Sequence, residues 1–282
     1  MLQVKPLSAG FGLEASGIDL SDPLSDAAFA EIEDAFFDGQ VLTFRHQRLA
    51  PPEFVAFARR FGPPDPHVID QFHHPDDPSI LILSNVKKDG KPTGLQDAGS
   101  YFHTDYSYLQ VPARATTLYS IVVPKKGGDT LFANQHTAWE RLPGYLQRAV
   151  RHAKAEHSYL ARYADLQKKN PWRPNLTQAQ IDEVKPVVQP VVRTHPETGR
   201  LALFVSEHFT TKIVGLPEDE SRTLLAELFD HSTRAEHVYR HRWQPHDMVF
   251  WDNRSVMHLA AGCPDDQRRK LYRTTIEGDA PY

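Results

Sequence analysis

The heptapeptide "DMVFWDN", residues 247–253, sets four apolar residues between two aspartates. A short apolar run with β-branched and aromatic residues, closed by turn-forming residues, is typical of a buried strand. Seven further runs share this composition: "QVLTFRH" (40–46), "SILILSNV" (79–86), "ATTLYSIVV" (115–123), "DTLFAN" (129–134), "VVQPVVRTH" (187–195), "LALFVS" (201–206) and "LYRTTIEG" (271–278). Eight short strands in one chain predict a sandwich or a barrel.

Three amphipathic segments lie between these runs, at residues 25–39, 51–62 and 217–232. The first begins with a capping serine and spaces Phe29, Ile32 and Phe36 along one helical face. Apolar stripes of this kind predict helices that pack on a sheet. The sequence therefore predicts a mixed α and β fold with a mainly β core and flanking helices.

Composition limits the classes of function. The chain has 282 residues and a formal net charge of -4, with no long run of either sign, which favours a small-molecule partner over nucleic acid or a membrane surface. No stretch approaches the roughly 20 apolar residues of a membrane span, and the start lacks the apolar core of a signal peptide, so we expect a cytoplasmic protein. The single cysteine, Cys263, excludes an intrachain disulfide, and a metal site must therefore use histidine and carboxylate.

The segment "RYADLQKKNPWRPNLTQ" (162–178) is polar, contains prolines and has no clear periodicity. Long irregular segments inside compact domains are usually lids, binding loops or disordered excursions. We expect a lid or mobile insertion at about 160–180 within a single domain that spans 1–282. A solvated surface loop or an oligomer contact is the alternative.

The stretch "GSYFHTDYSY" (99–108) carries candidate metal ligands. In an extended strand His103 and Asp105, two positions apart, point to the same face and can reach one ion. His258 in "WDNRSVMHLAAG" (251–262) is the best candidate for a third ligand, because it lies just beyond the strand at 247–253. Two histidines and one carboxylate leave coordination positions open, as in non-haem Fe(II) oxygenases, whereas a structural zinc ion closes its coordination shell.

Two arginines follow in "QRRKLYRTTIEG" (267–278). In an extended strand Arg269 and Arg273 share one face and lie roughly 13 Å apart, which suits two separate anionic groups. The planar guanidinium group can grip a carboxylate or a sulfonate through two hydrogen bonds. The alternative is a pair of surface arginines on an edge strand.

Together these motifs resemble the Fe(II)- and 2-oxoglutarate-dependent dioxygenases that include taurine dioxygenase and 2,4-dichlorophenoxyacetate dioxygenase. The likeness runs from "GLEASGIDLSDPLSD" through "FHTD", "PKKGGDTLFAN" and "WQPHDMVFWDNRSVMH" to "RRKLYRTTIEGD". The resemblance implies a double-stranded β-helix, or jelly roll, with helices outside. It also implies Fe(II) as cofactor, with 2-oxoglutarate and O2 as cosubstrates.

The resemblance assigns roles to five residues at the family's metal and cosubstrate positions. His103, Asp105 and His258 match the iron ligands. Thr130 and Arg269 match the residues that bind the distal carboxylate of 2-oxoglutarate. The reaction implied is decarboxylation of 2-oxoglutarate to succinate, coupled to hydroxylation of a substrate C–H bond.

The resemblance also assigns a substrate region. His67 and Arg273 match contacts to the anionic end of the substrate, while Phe204 and the segment 157–163 fall where the pocket wall is expected. Phe102 stands where taurine dioxygenase has a tryptophan, and is a further candidate substrate contact.

The expected substrate is a small anion. Taurine or a related alkanesulfonate, with release of sulfite, is the first expectation, and an alkyl sulfate or an aryloxyalkanoate is the alternative. Taurine dioxygenase has a tyrosine and an asparagine at the amine end of its substrate, and the nearest positions here are Asp70 and Gly99. The carboxylate of Asp105 favours hydroxylation over halogenation, because the related halogenases lack a carboxylate at this position.

Two other classes use the same residues differently. A zinc-dependent hydrolase would use the two histidines and the aspartate to activate water, but it gives no role to Thr130 or Arg269. In a non-catalytic jelly-roll binding module, His103 and Asp105 would merely hydrogen-bond each other. The family resemblance also favours a homo-oligomer, either a dimer or a tetramer.

Overall fold

The computed structural model describes residues 1–8, 11–96 and 98–282. The strands in these ranges are β1 (Gln3–Pro6), β2 (Leu13–Ser16), β3 (Val41–Phe44), β4 (His73–His74), β5 (Asp77–Ser84), β6 (Lys87–Lys88), β7 (Lys91–Pro92), β8 (Ala115–Val122), β9 (Thr130–Asn134), β10 (Lys154–His157), β11 (Val187–Pro190), β12 (Val192–Thr194), β13 (Leu201–Leu203), β14 (Thr210–Ile213), β15 (Val238–His241), β16 (Met248–Asp252), β17 (Val256–Ala260) and β18 (Lys270–Ile276). The helices are α1 (Asp26–Gly39), α2 (Pro51–Arg59), α3 (Gln135–Glu140), α4 (Gly144–Val150), α5 (Leu160–Lys169), α6 (Gln178–Glu183) and α7 (Glu218–Ser232).

The three predicted helices are confirmed, and each of the eight predicted strand runs contains a strand. One run, 187–195, holds two strands, β11 and β12, because the chain changes partners at Val191. The Val191 N–H donates to the carbonyl of Ala153 at 3.0 Å, whereas the Val191 carbonyl accepts from the N–H of Phe204 at 2.8 Å. The mixed α and β fold with a mainly β core is therefore observed.

Two sheets determine the position of the candidate site. The larger has eight strands in the order β1-β2-β3-β16-β8-β18-β5-β4, and the smaller has three in the order β15-β9-β17. Smaller sheets are formed by β11-β10-β14, β12-β13 and β6-β7. None of the helices within the described ranges is long and apolar enough to cross a membrane.

Alternation along β16 explains how the eight-stranded sheet is packed on both faces. Phe250 stacks on Phe36 of α1, with ring centroids 4.2 Å apart, in a core formed with α1 and α2. Its neighbour Trp251 points the other way and contacts Phe132 of β9, with centroids 5.3 Å apart. The candidate site lies on this second side, between the two sheets.

The segment predicted to be irregular is more ordered than expected. Most of α5 lies at its start, and α6 begins at its end. The Tyr163 hydroxyl donates to the Pro174 carbonyl, and the Gln180 amide donates to the Val68 carbonyl, both at 2.7 Å. The prediction missed α5 because only Tyr163 and Leu166 of this polar helix are buried.

Candidate metal centre and active site

Three buried side chains, those of His103, Asp105 and His258, converge between the two sheets. His103 Nε2 lies 3.5 Å from Asp105 Oδ1, and His258 Nε2 lies 3.8 Å from Asp105 Oδ2. One ligand atom from each residue lies within 4.8 Å of the other two. This spacing and donor set fit a single divalent ion, and the arrangement predicted from the sequence is observed.

Backbone pairing brings the two histidines together. The His103 N–H donates to the His258 carbonyl at 3.0 Å, and the His258 N–H donates to the His103 carbonyl at 2.8 Å. His258 lies just beyond β16, as expected, on a strand of its own, β17. The expectation of an extended strand through 103–105 is wrong, because His103 forms an isolated bridge and the chain turns at Asp105, with Tyr106 at a φ of 58°.

The histidine nitrogens are available as ligands. His103 Nδ1 donates to the carbonyl of Tyr101 at 2.9 Å, which places the ring proton on Nδ1 and leaves the lone pair of Nε2 facing Asp105. Two effects hold the pKa of His258 well below its usual range: burial of the ring is the larger, and the neighbouring His103 is the next. His258 is therefore neutral at physiological pH, as a metal ligand must be.

Besides the two histidines, the Asp105 carboxylate contacts Thr116 and Arg273. Its Oδ2 accepts a 2.6 Å hydrogen bond from the Thr116 hydroxyl, and its Oδ1 lies 3.0 Å from Arg273 Nη2. Burial alone would raise the pKa of Asp105, but Arg273 and His258 hold it well below its usual range. The group is therefore ionised and can bind a cation.

One cavity, here called the Arg269 cavity, lies on the His258 side of the three converging side chains. Thr130, Arg269 and His258 contribute to its wall. Arg269 is half-buried, its Nε donates to the Gly128 carbonyl at 3.2 Å, and burial lowers the pKa of its guanidinium to about 10. The Thr130 hydroxyl accepts a 3.0 Å hydrogen bond from the Trp243 indole.

A second cavity, the Tyr106 cavity, lies on the Asp105 side. Its wall includes both residues predicted to contact the anionic end of the substrate, His67 and Arg273. Five residues line both cavities: Leu95, Ala98, Gly99, His103 and Arg273. The candidate metal ligands therefore lie where the two cavities meet.

Most of the Tyr106 cavity wall was not predicted. The described residues that line it include neither Phe102 nor Phe204. Phe204 is buried elsewhere, under the Arg193 guanidinium, whose Cζ lies 5.0 Å from its ring centroid. Of the segment 157–163, which was predicted to form the pocket wall, Tyr159 lines the cavity.

Aromatic and basic residues, together with Leu166, form the remainder of this wall: Tyr106, Tyr108, Arg173, His208 and Phe209. The two tyrosines immediately follow the candidate ligands in the quoted stretch 99–108, so proximity in sequence was a usable signal for them. His208 is buried beside His103, with ring centroids 5.5 Å apart, and burial lowers its pKa to about 2. Arg173 belongs to the segment predicted to be a lid.

A buried histidine–histidine–carboxylate group between two sheets, with a cavity on each side, defines the class of non-haem metal oxygenases. Residues 3–275 match the model of the taurine catabolism dioxygenase TauD, TfdA family. The chain is 37% identical over 286 residues to an alpha-ketoglutarate-dependent 2,4-dichlorophenoxyacetate dioxygenase of Cupriavidus pinatubonensis, covering 98% of this chain and 97% of that protein. It is 32% identical to an alkylsulfatase of Acinetobacter baylyi, covering 99% of this chain and 86% of that protein.

Solved structures agree with these matches. AAD-2 in complex with Mn(II) and N-oxalylglycine superimposes with a TM-score of 0.83 at 30% identity, covering 100% of this chain and 99% of that chain. A putative alpha-ketoglutarate-dependent taurine dioxygenase from Burkholderia xenovorans gives the same TM-score at 34% identity, with coverages of 100% and 94%.

The chain belongs to the TauD/TfdA family. It is a 2-oxoglutarate-dependent dioxygenase that uses Fe(II) and O2.

Proposed function

We propose that His103, Asp105 and His258 hold the Fe(II) ion, and that Arg269 and Thr130 bind the distal carboxylate of 2-oxoglutarate. The observation that carries this assignment is the meeting of the two cavities at His103, with His258 on the Arg269 side and Asp105 on the Tyr106 side. The charge of Arg269 supports the role, because a half-buried guanidinium next to a cavity is a natural partner for a dianion.

We propose that the substrate is a small monoanion with an aromatic body, and that an aryloxyalkanoate is the leading class. Three tyrosines and Phe209 line the Tyr106 cavity, a wall suited to an aromatic ring. The described contacts of the Arg273 guanidinium use Nη2, toward Asp105, and Nε, which donates to the Thr275 hydroxyl at 3.1 Å. The donors of Nη1 can bind the substrate carboxylate.

Taurine, the first expectation from the sequence, ranks below an aryloxyalkanoate. A carboxylate opposite the ammonium group would favour a zwitterion, but Asp105 is the only acidic residue among the described residues that line the Tyr106 cavity. Asp105 is already assigned to the metal, and Asp70 is exposed. Alkanesulfonates without an amine, and alkyl sulfates, form the second class, because Arg273 suits a sulfonate or sulfate and one relative is an alkylsulfatase.

Bound Fe(II) supplies the activation of O2 that couples 2-oxoglutarate decarboxylation to C–H hydroxylation. The residues of the chain supply orientation. Arg269 would fix the cosubstrate from one side, and Arg273 would direct the substrate carbon toward the metal from the other. The aromatic wall of the Tyr106 cavity would exclude water. Hydroxylation of a carbon that bears an ether oxygen gives a product that collapses to a phenol and a carbonyl compound.

We further propose that the two main sheets form the double-stranded β-helix of the family within one domain spanning 1–282, and that the segment at 160–180 is a lid. Two observations support a lid: Leu166 and Arg173 of this segment line the Tyr106 cavity, and Gln180 at its end donates a hydrogen bond to the Val68 carbonyl of another loop. A dimer or tetramer in the cytoplasm remains a prediction.

The test is succinate formation by the Fe(II)-loaded protein with five compounds: an aryloxyacetate, its neutral primary amide, taurine, an alkanesulfonate and an alkyl sulfate. We expect the highest kcat/KM for the aryloxyacetate, with one phenol released per succinate. The neutral amide should lose at least about tenfold, the value of one hydrogen bond to a charged group. A higher kcat/KM for taurine, or equal rates for the acid and its amide, would contradict the proposed substrate class.

A further inference from the structure

A chain of buried hydrogen bonds ends on the Asp105 carboxylate. The Asn253 side-chain amide donates to the Thr116 hydroxyl oxygen at 2.8 Å, and the Thr116 hydroxyl donates to Asp105 Oδ2 at 2.6 Å. Asn253 Oδ1 in turn accepts from the Trp251 indole at 3.0 Å and from the Asp105 backbone N–H at 3.3 Å. All four residues are buried.

The direction of each hydrogen bond in this chain is determined. Because the Asn253 NH2 group occupies a lone pair of the Thr116 oxygen, the single hydroxyl proton of Thr116 is available to Asp105. Asn253 is held by two donors to its own carbonyl oxygen, so its amide cannot turn without losing both bonds. The Thr116 hydroxyl therefore has one stable orientation, toward Oδ2.

We propose that Thr116, oriented by Asn253, is a positioning residue that restricts Asp105 to metal ligation through a single oxygen. This inference rests on the proposed iron site. A carboxylate can bind a metal through one oxygen or through both. With three protein ligands, an octahedral metal ion has three open positions, two for 2-oxoglutarate and one for O2. Ligation through both oxygens of Asp105 would occupy one of these three. A hydrogen bond that holds Oδ2 opposes the rotation of the carboxylate that two-oxygen ligation needs.

The neighbouring residue on β8 provides a matched control. Thr117 is fully buried like Thr116, but its hydroxyl forms no hydrogen bond with any of the described residues. Replacing either threonine by valine removes one buried hydroxyl and keeps the shape of the side chain. Thr116→Val removes the bond to Asp105 and also the bond that Asn253 donates to Thr116, so a difference between the two variants reports on this hydrogen-bond chain and not on packing.

The experiment measures Mn(II) binding to the metal-free full-length protein by electron paramagnetic resonance, and then 2-oxoglutarate binding to the Mn(II)-loaded protein without oxygen. We expect Thr116→Val to weaken Mn(II) binding about 10- to 100-fold, the usual effect of losing a hydrogen bond to a metal ligand. Its bound Mn(II) spectrum and its 2-oxoglutarate affinity should change as well. Thr117→Val should stay within about twofold of the wild type, and Thr116→Ser, which restores the hydroxyl, should recover most of the affinity.

Each outcome is decisive. Equal Mn(II) affinity and an unchanged spectrum in Thr116→Val would overturn the inference, as would an equal loss in Thr117→Val. Absence of Mn(II) binding in the wild type would instead overturn the proposed iron site itself. Thermal unfolding of the metal-free variants checks that they fold. If Thr116→Val does not fold, Thr116→Ala is used instead, because it also removes the hydroxyl.

Discussion

Replacement of Arg269 by glutamine tests the cosubstrate site. Arg269 lines the cavity on the His258 side of the candidate metal ligands, and its Nε is bonded to the Gly128 carbonyl. A hydrogen bond to a charged group contributes about 1.5–3 kcal/mol, and a carboxylate left without its cationic partner loses at least one such bond. Since about 1.4 kcal/mol corresponds to a tenfold change, the Kd of 2-oxoglutarate should rise about 10- to 150-fold.

The assay is calorimetric titration of 2-oxoglutarate into the Mn(II)-loaded protein without oxygen. Arg268→Gln is the matched control, because Arg268 is the exposed neighbour of Arg269 and its loss changes the net charge by the same amount. We expect the control to bind within about twofold of the wild type, since exposed charges contribute little. An Arg269→Gln protein that binds 2-oxoglutarate as tightly as the control would refute this assignment.

Three further predictions concern stability. Gly99 has a φ of +74°, and an added Cβ would lie 3.0 Å from the His103 ring. Gly99→Ala should therefore lower the free energy of unfolding by about 1–2 kcal/mol and the Tm by a few degrees. An unchanged Tm in calorimetry would contradict this. Burial lowers the pKa of His157 from 6.5 to about 3, so as pH falls this histidine is protonated in the unfolded chain before it is protonated in the folded one. His157 should therefore lower the free energy of unfolding by about 2 kcal/mol by pH 5. Urea titrations at pH 7 and 5 should therefore show a smaller loss in His157→Gln than in the wild type, and equal losses would refute the assignment. Asp252→Asn removes one of the two carboxylates paired with the buried Arg254, while Glu197 stays bonded to it, so the change should cost about 1.5–3 kcal/mol in urea denaturation, whereas a loss below about 1 kcal/mol would argue that the pair is not formed.

Local patterns in the sequence predicted the strands and helices that carry the site. Apolar runs such as 115–123 and 247–253 became the central strands β8 and β16, because their residues are buried on both faces of the sheet. The spacing of Arg269 and Arg273 predicted that both side chains face the same way, and both line the Arg269 cavity; their binding to two separate anionic groups stays a prediction.

The remainder depended on contacts between distant segments. The backbone pairing of His103 with His258 joins residues 155 positions apart, and no local pattern encodes it. The substrate wall shows the same limitation: Phe204 was expected there, but the chain buries it under Arg193, and His208 and Phe209 line the cavity instead. A difference of a few residues in a turn decides which side chain faces the cavity.

The most direct test of the proposed iron site compares the wild type with Asp105→Ala and His258→Ala. Each protein is loaded with Fe(II) without oxygen and then exposed to O2 with 2-oxoglutarate and an aryloxyacetate. Iron content and succinate formation are measured. We expect one iron per chain and coupled turnover in the wild type, and loss of both in the two variants, which should still unfold cooperatively. Iron-dependent turnover at the wild-type rate in Asp105→Ala, or hydrolysis by the Zn(II)-loaded protein without 2-oxoglutarate, would contradict the assignment of His103, Asp105 and His258 to iron.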